Sequence, residues 1–186
     1  MRTKEIGRVR TQEDLERFER TIMPHLSASY NLAHWLTRSD HDAEDVVQEA
    51  YLRALSAFDG YRGGDARAWM LTIVRNTCYT WLRRHRSAET LASDDADDPT
   101  AEIADDPSSQ PEAQVISAAD KRQLRQALDE LPADFREVIV LRELEGFSYK
   151  EIGGIIDAPL GTVMSRLARA RTRLQQALVR RMQGSV

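Results

Sequence analysis

The chain has 186 residues, of which 41% are hydrophobic and 30% are charged, and its formal net charge is −4. This length allows one ordinary domain or two small ones, and no apolar run approaches the roughly 18 to 20 residues that a membrane helix needs. The single cysteine, Cys78, excludes a disulfide framework and a thiolate zinc site. The N-terminal residues lack the apolar stretch of a signal peptide, so we expect a cytoplasmic protein without membrane insertion.

The N-terminal part is predicted to be helical over residues 11–86, after a disordered stretch over 1–10. Thr11, followed by Asp14, is typical of a helix start, and Pro24 predicts a break or kink. A glycine-rich loop, "DGYRGGD", precedes a third long helix that ends near residue 86. The second helix should follow Asp40 and Asp42, and its apolar stripe consists of Ala43, Val47, Ala50, Tyr51, Ala54, Leu55 and Phe58.

An acidic segment over residues 87–117 divides the chain. It carries nine carboxylates between Ser87 and Gln114, three prolines and no lysine or arginine, which leaves the rest of the chain net basic. Such a composition cannot bury enough apolar surface to offset the entropy of ordering, so we predict a flexible linker. A solvated loop without a role is the alternative interpretation.

The C-terminal part is predicted to form helices over about 118–130, 134–144, 148–156 and 160–181. Gly146 suits a left-handed cap, Ser148 and Glu151 suit a capping box, and Pro159 suits the first turn of the last helix. The fold class is therefore all-α, with two small helical domains joined by an acidic flexible linker. The two last helices and the tight turn between them are typical of a helix-turn-helix.

The last helix is purely cationic, although the protein is acidic. After Pro159 there is no Asp or Glu, and six arginines occur at positions 166, 169, 171, 173, 180 and 181. The second helix of a helix-turn-helix enters the major groove, where arginines contact phosphates or guanine. We therefore predict nucleic-acid binding. A solvated cationic face is the alternative, but no carboxylate lies four residues away to form intrahelical ion pairs.

The N-terminal part holds two further candidate surfaces. The stretch "DAEDVVQE" places Asp42, Asp45 and Glu49 on one helix face, which suits a solvated face, a docking surface for a basic partner or, least well, an acid/base or metal site. The four histidines show no metal-ligand spacing with each other. In the third helix, Asn76 and Thr80 are polar and, with Arg83, suit contact with unpaired bases, whereas the tryptophans suit the core.

These residues resemble the bacterial extracytoplasmic-function (ECF) sigma factors of the sigma-70 family. The resemblance is carried by "DAEDVVQEAYLRAL", by "FDGYRGGDARAWMLTIVRNTCYTWLRRHR" and by the stretch from "LPADFREVIVLRELEGFSYKEIGG" through "IIDAPLGTVMSRLARARTRL". It implies a non-enzymatic protein that binds core RNA polymerase, directs it to promoters and helps to open the duplex. It implies no cofactor, no metal and no catalytic residue.

The resemblance also implies domains and partners. Domain 2, over 11–86, would bind the polymerase and the −10 element, and domain 4, over 118–183, would bind the −35 element. The acidic linker would thread toward the RNA exit channel. The polymerase contacts would be the largest-subunit coiled coil and the flap region, and an anti-sigma factor is a further expected partner.

The resemblance implies three sets of site residues. Those that would bind the core polymerase are Asp42, Asp45, Gln48 and Glu49. Those that would bind −10 DNA are Tyr61, Arg62, Arg67, Asn76, Thr80, Arg83 and Arg84. Those that would bind −35 DNA are Thr162, Ser165, Arg166, Arg169 and Arg173.

The chain departs from the family pattern at Met164, where a basic residue is common, and at Gly153 and Gly154, where glycines are expected to soften the helix. Three other classes of function fit the sequence less well. A helix-turn-helix regulator would bind duplex DNA without the polymerase, and the long linker disfavours it. A nucleic-acid mimic is disfavoured by the C-terminal arginines, and an enzyme by the lack of a nucleophile–base pair or a metal cluster.

Overall fold

The computed structural model describes residues 11–91 and 118–183; the predicted tail over 1–10 and residues 92–117 of the predicted linker lie outside them. The described residues form helices and turns and no strand, which confirms the prediction of an all-α protein with two helical modules. The N-terminal module holds α1 (Gln12–Ile22), α2 (Leu26–Thr37), α3 (Asp40–Ala57) and α4 (Ala66–Leu91). The C-terminal module holds α5 (Ala118–Asp129), α6 (Ala133–Ile139), α7 (Tyr149–Ile156) and α8 (Leu160–Gln183).

Local signals fix most of the helix ends. The Thr11 hydroxyl accepts a hydrogen bond from the Asp14 N–H at 3.2 Å, and the Asp14 carboxylate accepts one from the Thr11 N–H at 3.1 Å. Pro24 lies in a 3₁₀ turn between α1 and α2. Ser39 caps α3, so that helix includes Asp40 and Asp42 instead of following them. The helix α4 continues to Leu91, five residues beyond its predicted end, which shortens the predicted linker by the same amount.

A π-helical turn over Val140–Leu144 follows α6, and the sequence did not reveal it. The Glu145 N–H donates to the Val140 carbonyl and the Phe147 N–H donates to the Leu141 carbonyl, both at 3.0 Å. Gly146 then adopts a left-handed conformation, with φ of 72°, as predicted for a cap. Glu145 directly follows this turn and contacts Asn31 and Arg67 of the N-terminal module.

The helix-turn-helix consists of α7 and α8, joined by Asp157–Pro159. The predicted capping box is present, because Ser148 and Glu151 exchange hydrogen bonds at the start of α7. Asp157 ends α7 in the left-handed region, with φ of 52°. The Pro159 carbonyl accepts from the Val163 N–H at 3.1 Å, so α8 begins where the proline predicted. These contacts give the motif its sharp turn.

We predict that the two glycines of α7 respond differently to alanine. A Cβ at Gly154 would meet nothing within 4 Å, so Gly154→Ala should raise the free energy of unfolding, by about 0.5–1 kcal/mol. A Cβ at Gly153 would lie 2.9 Å from the Ala158 carbonyl oxygen, so Gly153→Ala must shift the turn. The stabilisation expected from the higher helix propensity of alanine is then partly or wholly lost. Urea unfolding of both variants measures the difference, and equal stabilisation would contradict the prediction.

The two modules pack directly on each other, which the sequence did not reveal. The helix α4 lies against α7, and α2 lies against α6. Buried apolar side chains from both modules belong to one continuous cluster. None of the helices in the described ranges is long and apolar enough to cross a membrane.

Candidate nucleic-acid interface

The outer face of α8 carries the residues predicted to read a duplex. Ser165, Arg169 and Arg173 are exposed, and Thr162 is half-buried. The Ser165 hydroxyl donates to the Thr162 carbonyl at 3.1 Å. Met164 is 52% exposed, so this position presents an apolar group to solvent. The N-terminal half of α8 therefore offers a mixed polar, apolar and cationic face of the kind that enters a groove.

Several α8 arginines have carboxylate partners on other helices of the same module. Arg166 contacts Glu137 at 3.2 Å, and Arg171 contacts Glu143 at 2.6 Å. Arg180 and Arg181 both reach Glu130, at 3.0 and 2.6 Å. The sequence argument considered only partners within the helix and so missed these tertiary ion pairs. The C-terminal arginines of α8 thus pair with a carboxylate at the end of α5, and these surface pairs contribute little to stability.

Asn76, Thr80 and Arg83 lie on one polar face of α4, as their helical spacing predicted. The Thr80 hydroxyl donates to the Asn76 carbonyl at 2.9 Å, and Arg83 donates to the Thr80 hydroxyl at 3.4 Å. Asn76, Arg83 and Arg84 are exposed. Amide, hydroxyl and guanidinium groups on one exposed face can hydrogen-bond to base edges and to the phosphate backbone.

The glycine-rich loop before α4 folds over an aromatic cluster. The Tyr61 hydroxyl donates to the Gly64 carbonyl at 2.8 Å, and its ring stacks on Phe58 with a centroid distance of 5.7 Å. Trp69 lies 5.1 Å from the Tyr61 ring and packs against the core, as expected for the tryptophans. Arg62 is exposed at the tip of the loop. Tyr61 thus packs at the edge of the core, and the exposed Arg62 follows it in the loop.

Arg67, a predicted −10 contact, is engaged elsewhere. Its guanidinium donates to both the side chain and the main-chain carbonyl of Glu145, across the contact between the modules. It also lies 4.7 Å over the Phe147 ring. In this arrangement the Arg67 side chain is 34% exposed and its guanidinium is engaged with Glu145, so its −10 contact stays a prediction.

Glu137 is a buried carboxylate that sequence reasoning missed. Its side chain is 0% exposed, and it accepts from Arg75 Nε at 2.9 Å and from Arg166 at 3.2 Å. Burial raises the pKa of Glu137, and the Arg75 guanidinium opposes this rise. The sequence signal that could have revealed it is a glutamate inside the apolar run "REVIVL". Such a position predicts a buried charge, and a buried charge needs a partner. One carboxylate therefore joins an arginine from each module.

The carboxylates of α3 are partly exposed, and two of them lie beside a basic side chain. Asp45 lies 3.9 Å from His41 Nε2. Asp45 and Gln48 are exposed, Asp42 and Glu49 are half-buried, and Glu49 forms an ion pair with Arg53. Gln48 also lines an apolar groove between α2 and α3, together with Leu26, Tyr30, Val47 and Tyr51. The pattern of acidic groups beside an apolar groove suits a protein partner with both basic and apolar side chains.

The described residues contain no group of three His, Cys, Asp or Glu side chains placed to hold a metal ion. Cys78 is fully buried, and burial raises the pKa of its thiol to about 12. Its burial confirms the prediction of an interior residue. A thiol with so high a pKa forms almost no thiolate at neutral pH, so Cys78 is also unreactive.

Two protein families match the chain, one in each module. Residues 21–88 match sigma-70 region 2, and residues 121–174 match sigma-70 region 4. The ECF sigma-E factor of Escherichia coli K12 is 38% identical over 148 residues, covering 75% of this chain and 77% of that protein. The ECF sigma factor SigE of Mycolicibacterium smegmatis is 34% identical over 170 residues, covering 91% of this chain and 64% of that protein.

Solved structures agree with these matches. The sigma factor RpoE of Bartonella quintana, crystallised with the anti-sigma factor NepR, superposes with a TM-score of 0.70 at 32% identity, covering 88% of this chain and 97% of that one. CnrH, in complex with the cytosolic domain of CnrY, has the same fold, with a TM-score of 0.61 at 23% identity.

Proposed function

The chain belongs to the ECF sigma factors of the sigma-70 family, and on this premise we propose that it binds core RNA polymerase and directs it to a specific set of promoters. The observation that supports this most is the pairing of two exposed polar faces with the two matched regions. The α4 face with Asn76, Thr80 and Arg83 lies in the region 2 match, and the α8 face with Ser165 and Arg169 lies in the region 4 match.

We assign different tasks to the two faces. The α4 face and the loop before it would hold the unpaired −10 strand, with Tyr61, Arg62, Arg67 and Arg84 beside the three central residues. The α8 face would read the −35 duplex, with Thr162, Arg166 and Arg173 completing it. The segment over 92–117 would connect the two while they sit on separate promoter elements.

The acidic α3 face would dock on the polymerase. Asp42, Asp45, Gln48 and Glu49 would meet basic residues on the coiled coil of its largest subunit, and the C-terminal module would meet the flap region. We also propose a role without catalysis, in the bacterial cytoplasm where polymerase acts. The sigma factor RpoE of Bartonella quintana, crystallised with the anti-sigma factor NepR, supports an anti-sigma factor as a further partner.

Transcription in vitro tests the proposal. The full chain is mixed with sigma-free core polymerase and a pool of genomic promoter fragments. We expect discrete transcripts that need both proteins, because neither alone selects a start site. Tight binding of duplex DNA by the chain alone, without any transcript, would favour a helix-turn-helix regulator instead.

A double variant of the α3 face tests the proposed docking on the polymerase. Asp45→Ala with Glu49→Ala removes two carboxylates from the α3 face, so we expect polymerase affinity to fall about tenfold or more. Asp45 is exposed and Glu49 is half-buried, so circular dichroism should show unchanged helix content. Unchanged affinity for core polymerase would mean that this face is merely solvated.

A further inference from the structure

The outer face of α8 is divided into two stripes of different chemistry, because residues four positions apart lie on the same side of a helix. The first stripe consists of four exposed residues, Leu160, Met164, Ala168 and Thr172. The Thr172 hydroxyl donates to the Ala168 carbonyl at 3.1 Å, so this stripe presents mainly carbon atoms to a partner. The second stripe carries the polar Ser165 and the cationic Arg169.

Leu160 and Met164 form a pair of large apolar side chains that the fold leaves in solvent. They are 53% and 52% exposed. A single exposed apolar residue is ordinary in a soluble protein, but two on adjacent turns of one face, beside polar residues, are typical of a contact surface. Both lie in the opening turns of α8, inside the stretch 121–174 that matches sigma-70 region 4. The N-terminal residues of such a helix are those that reach base edges.

The surroundings of the apolar pair favour DNA over a protein surface. No Asp or Glu occurs after Asp157, and the exposed Arg169 lies on the neighbouring stripe. A polyanion can therefore approach this face without repulsion, and its phosphates find a cation beside the apolar pair. A protein partner with an apolar patch would not account for a helix that lacks carboxylates along its whole length.

The major groove offers one kind of group that suits an apolar side chain. Thymine presents a C5-methyl group there, whereas the edges of guanine and cytosine present only hydrogen-bonding groups. A methionine over a G·C pair would cover those groups without bonding to them, which is unfavourable. We therefore infer that Met164, with Leu160 beside it, reads a thymine methyl group in the −35 element. This inference rests on the proposed function and adds a specificity-determining residue to it.

Replacement of single thymines by uracil tests the inference, because uracil lacks only the C5-methyl group. The full chain is assembled with core polymerase on a promoter fragment that it transcribes, and each thymine of the −35 region is replaced in turn. We expect at least one replacement to weaken binding of the assembled polymerase about fourfold, as for one methyl group removed from an apolar contact.

Variants of Met164 assign that methyl group to its reader. In Met164→Ala the ratio of thymine to uracil affinity at that position should fall from about four to about one, because the methyl group has lost its partner. The matched control is Met182→Ala, which removes a 65%-exposed methionine at the other end of α8 and should leave the ratio unchanged. Both methionines are exposed, so neither replacement should change the helix content.

A third variant should redirect the preference. Arginine pairs bidentately with guanine, so Met164→Arg should bind more tightly when the A·T pair at that position is replaced by G·C. The wild-type chain should show the opposite order on the same two fragments. A competition between the two fragments, each carrying a different fluorophore, measures both orders directly.

An unchanged thymine-to-uracil ratio in Met164→Ala would overturn the inference, as would a −35 region in which no replacement has an effect. Weaker binding of Met164→Ala to core polymerase without DNA would assign the apolar pair to a protein surface and also overturn it. All three results leave transcription by the wild-type chain intact.

Failure of the proposed function shows instead as a lack of promoter-specific transcripts from the wild-type chain. The same thymine replacements are then made in the duplex that the chain alone selects from a random pool, and the same ratios decide. Selection of no duplex would overturn the inference.

Discussion

Replacing Arg136 with alanine is expected to lower the free energy of unfolding by about 3–5 kcal/mol. Arg136 is 3% exposed, and its guanidinium donates to the carbonyls of Leu128, Asp129 and Leu131 at 3.0, 3.1 and 2.8 Å. These carbonyls lie at the end of α5, where a helix leaves acceptors without internal partners. A fourth bond, at 2.6 Å, reaches the Trp35 carbonyl in the other module. Alanine would leave all four acceptors without this donor.

Urea unfolding followed by circular dichroism measures this loss. Burial lowers the pKa of Arg136 to about 10, so the side chain is still charged at neutral pH and its removal costs charge-assisted bonds. Arg171→Ala is the matched control, because that arginine is exposed and pairs with an exposed carboxylate. The control should cost less than about 1 kcal/mol. Equal losses for the two variants would mean that the carbonyls of α5 find other donors.

Arg169→Ala should weaken binding to a duplex carrying the −35 element by about 1–3 kcal/mol, or roughly 5- to 150-fold. Arg169 is exposed on the outer face of α8, so the substitution removes the predicted DNA contact without disturbing packing. The slope of log affinity against log salt should also fall by about one, if the lost contact is to a phosphate. A titration by fluorescence anisotropy at several salt concentrations gives both values.

Two further arginine variants of α8 show whether the loss of affinity is specific to Arg169. Arg180→Ala removes an exposed arginine at the far end of the same helix, where it pairs with Glu130, and should change the affinity little. Arg166→Ala should reduce both DNA affinity and stability, because it also takes a partner from the buried Glu137. An unchanged affinity and salt slope for Arg169→Ala would exclude this face of α8 as the reader.

The sequence predicted those parts of the fold that depend on neighbouring residues. The capping boxes at Thr11 and Ser148 and the left-handed Gly146 were predictable, because each depends on residues within three or four positions. The cluster of Asn76, Thr80 and Arg83 was predictable for the same reason, since helical spacing alone brings them together. The functional assignments of these residues stay predictions.

The remaining features depend on distant contacts. Arg67 and Glu145 are 78 positions apart, and Arg75 and Glu137 are 62 apart, so no local pattern pairs them. The π-helical turn follows no cap or breaker that the sequence displays. The six arginines of α8 looked alike in the sequence, but tertiary ion pairs divide them into structural ones, such as Arg181, and outward ones, such as Arg169.

The buried thiol of Cys78 can report the opening of the N-terminal core without an added probe. Cys78 is the only cysteine and lies in α4, in the N-terminal core. A thiol-alkylating reagent can reach it only during moments when that core opens, so the alkylation rate follows the opening equilibrium. Slow labelling would mean that the N-terminal core opens rarely.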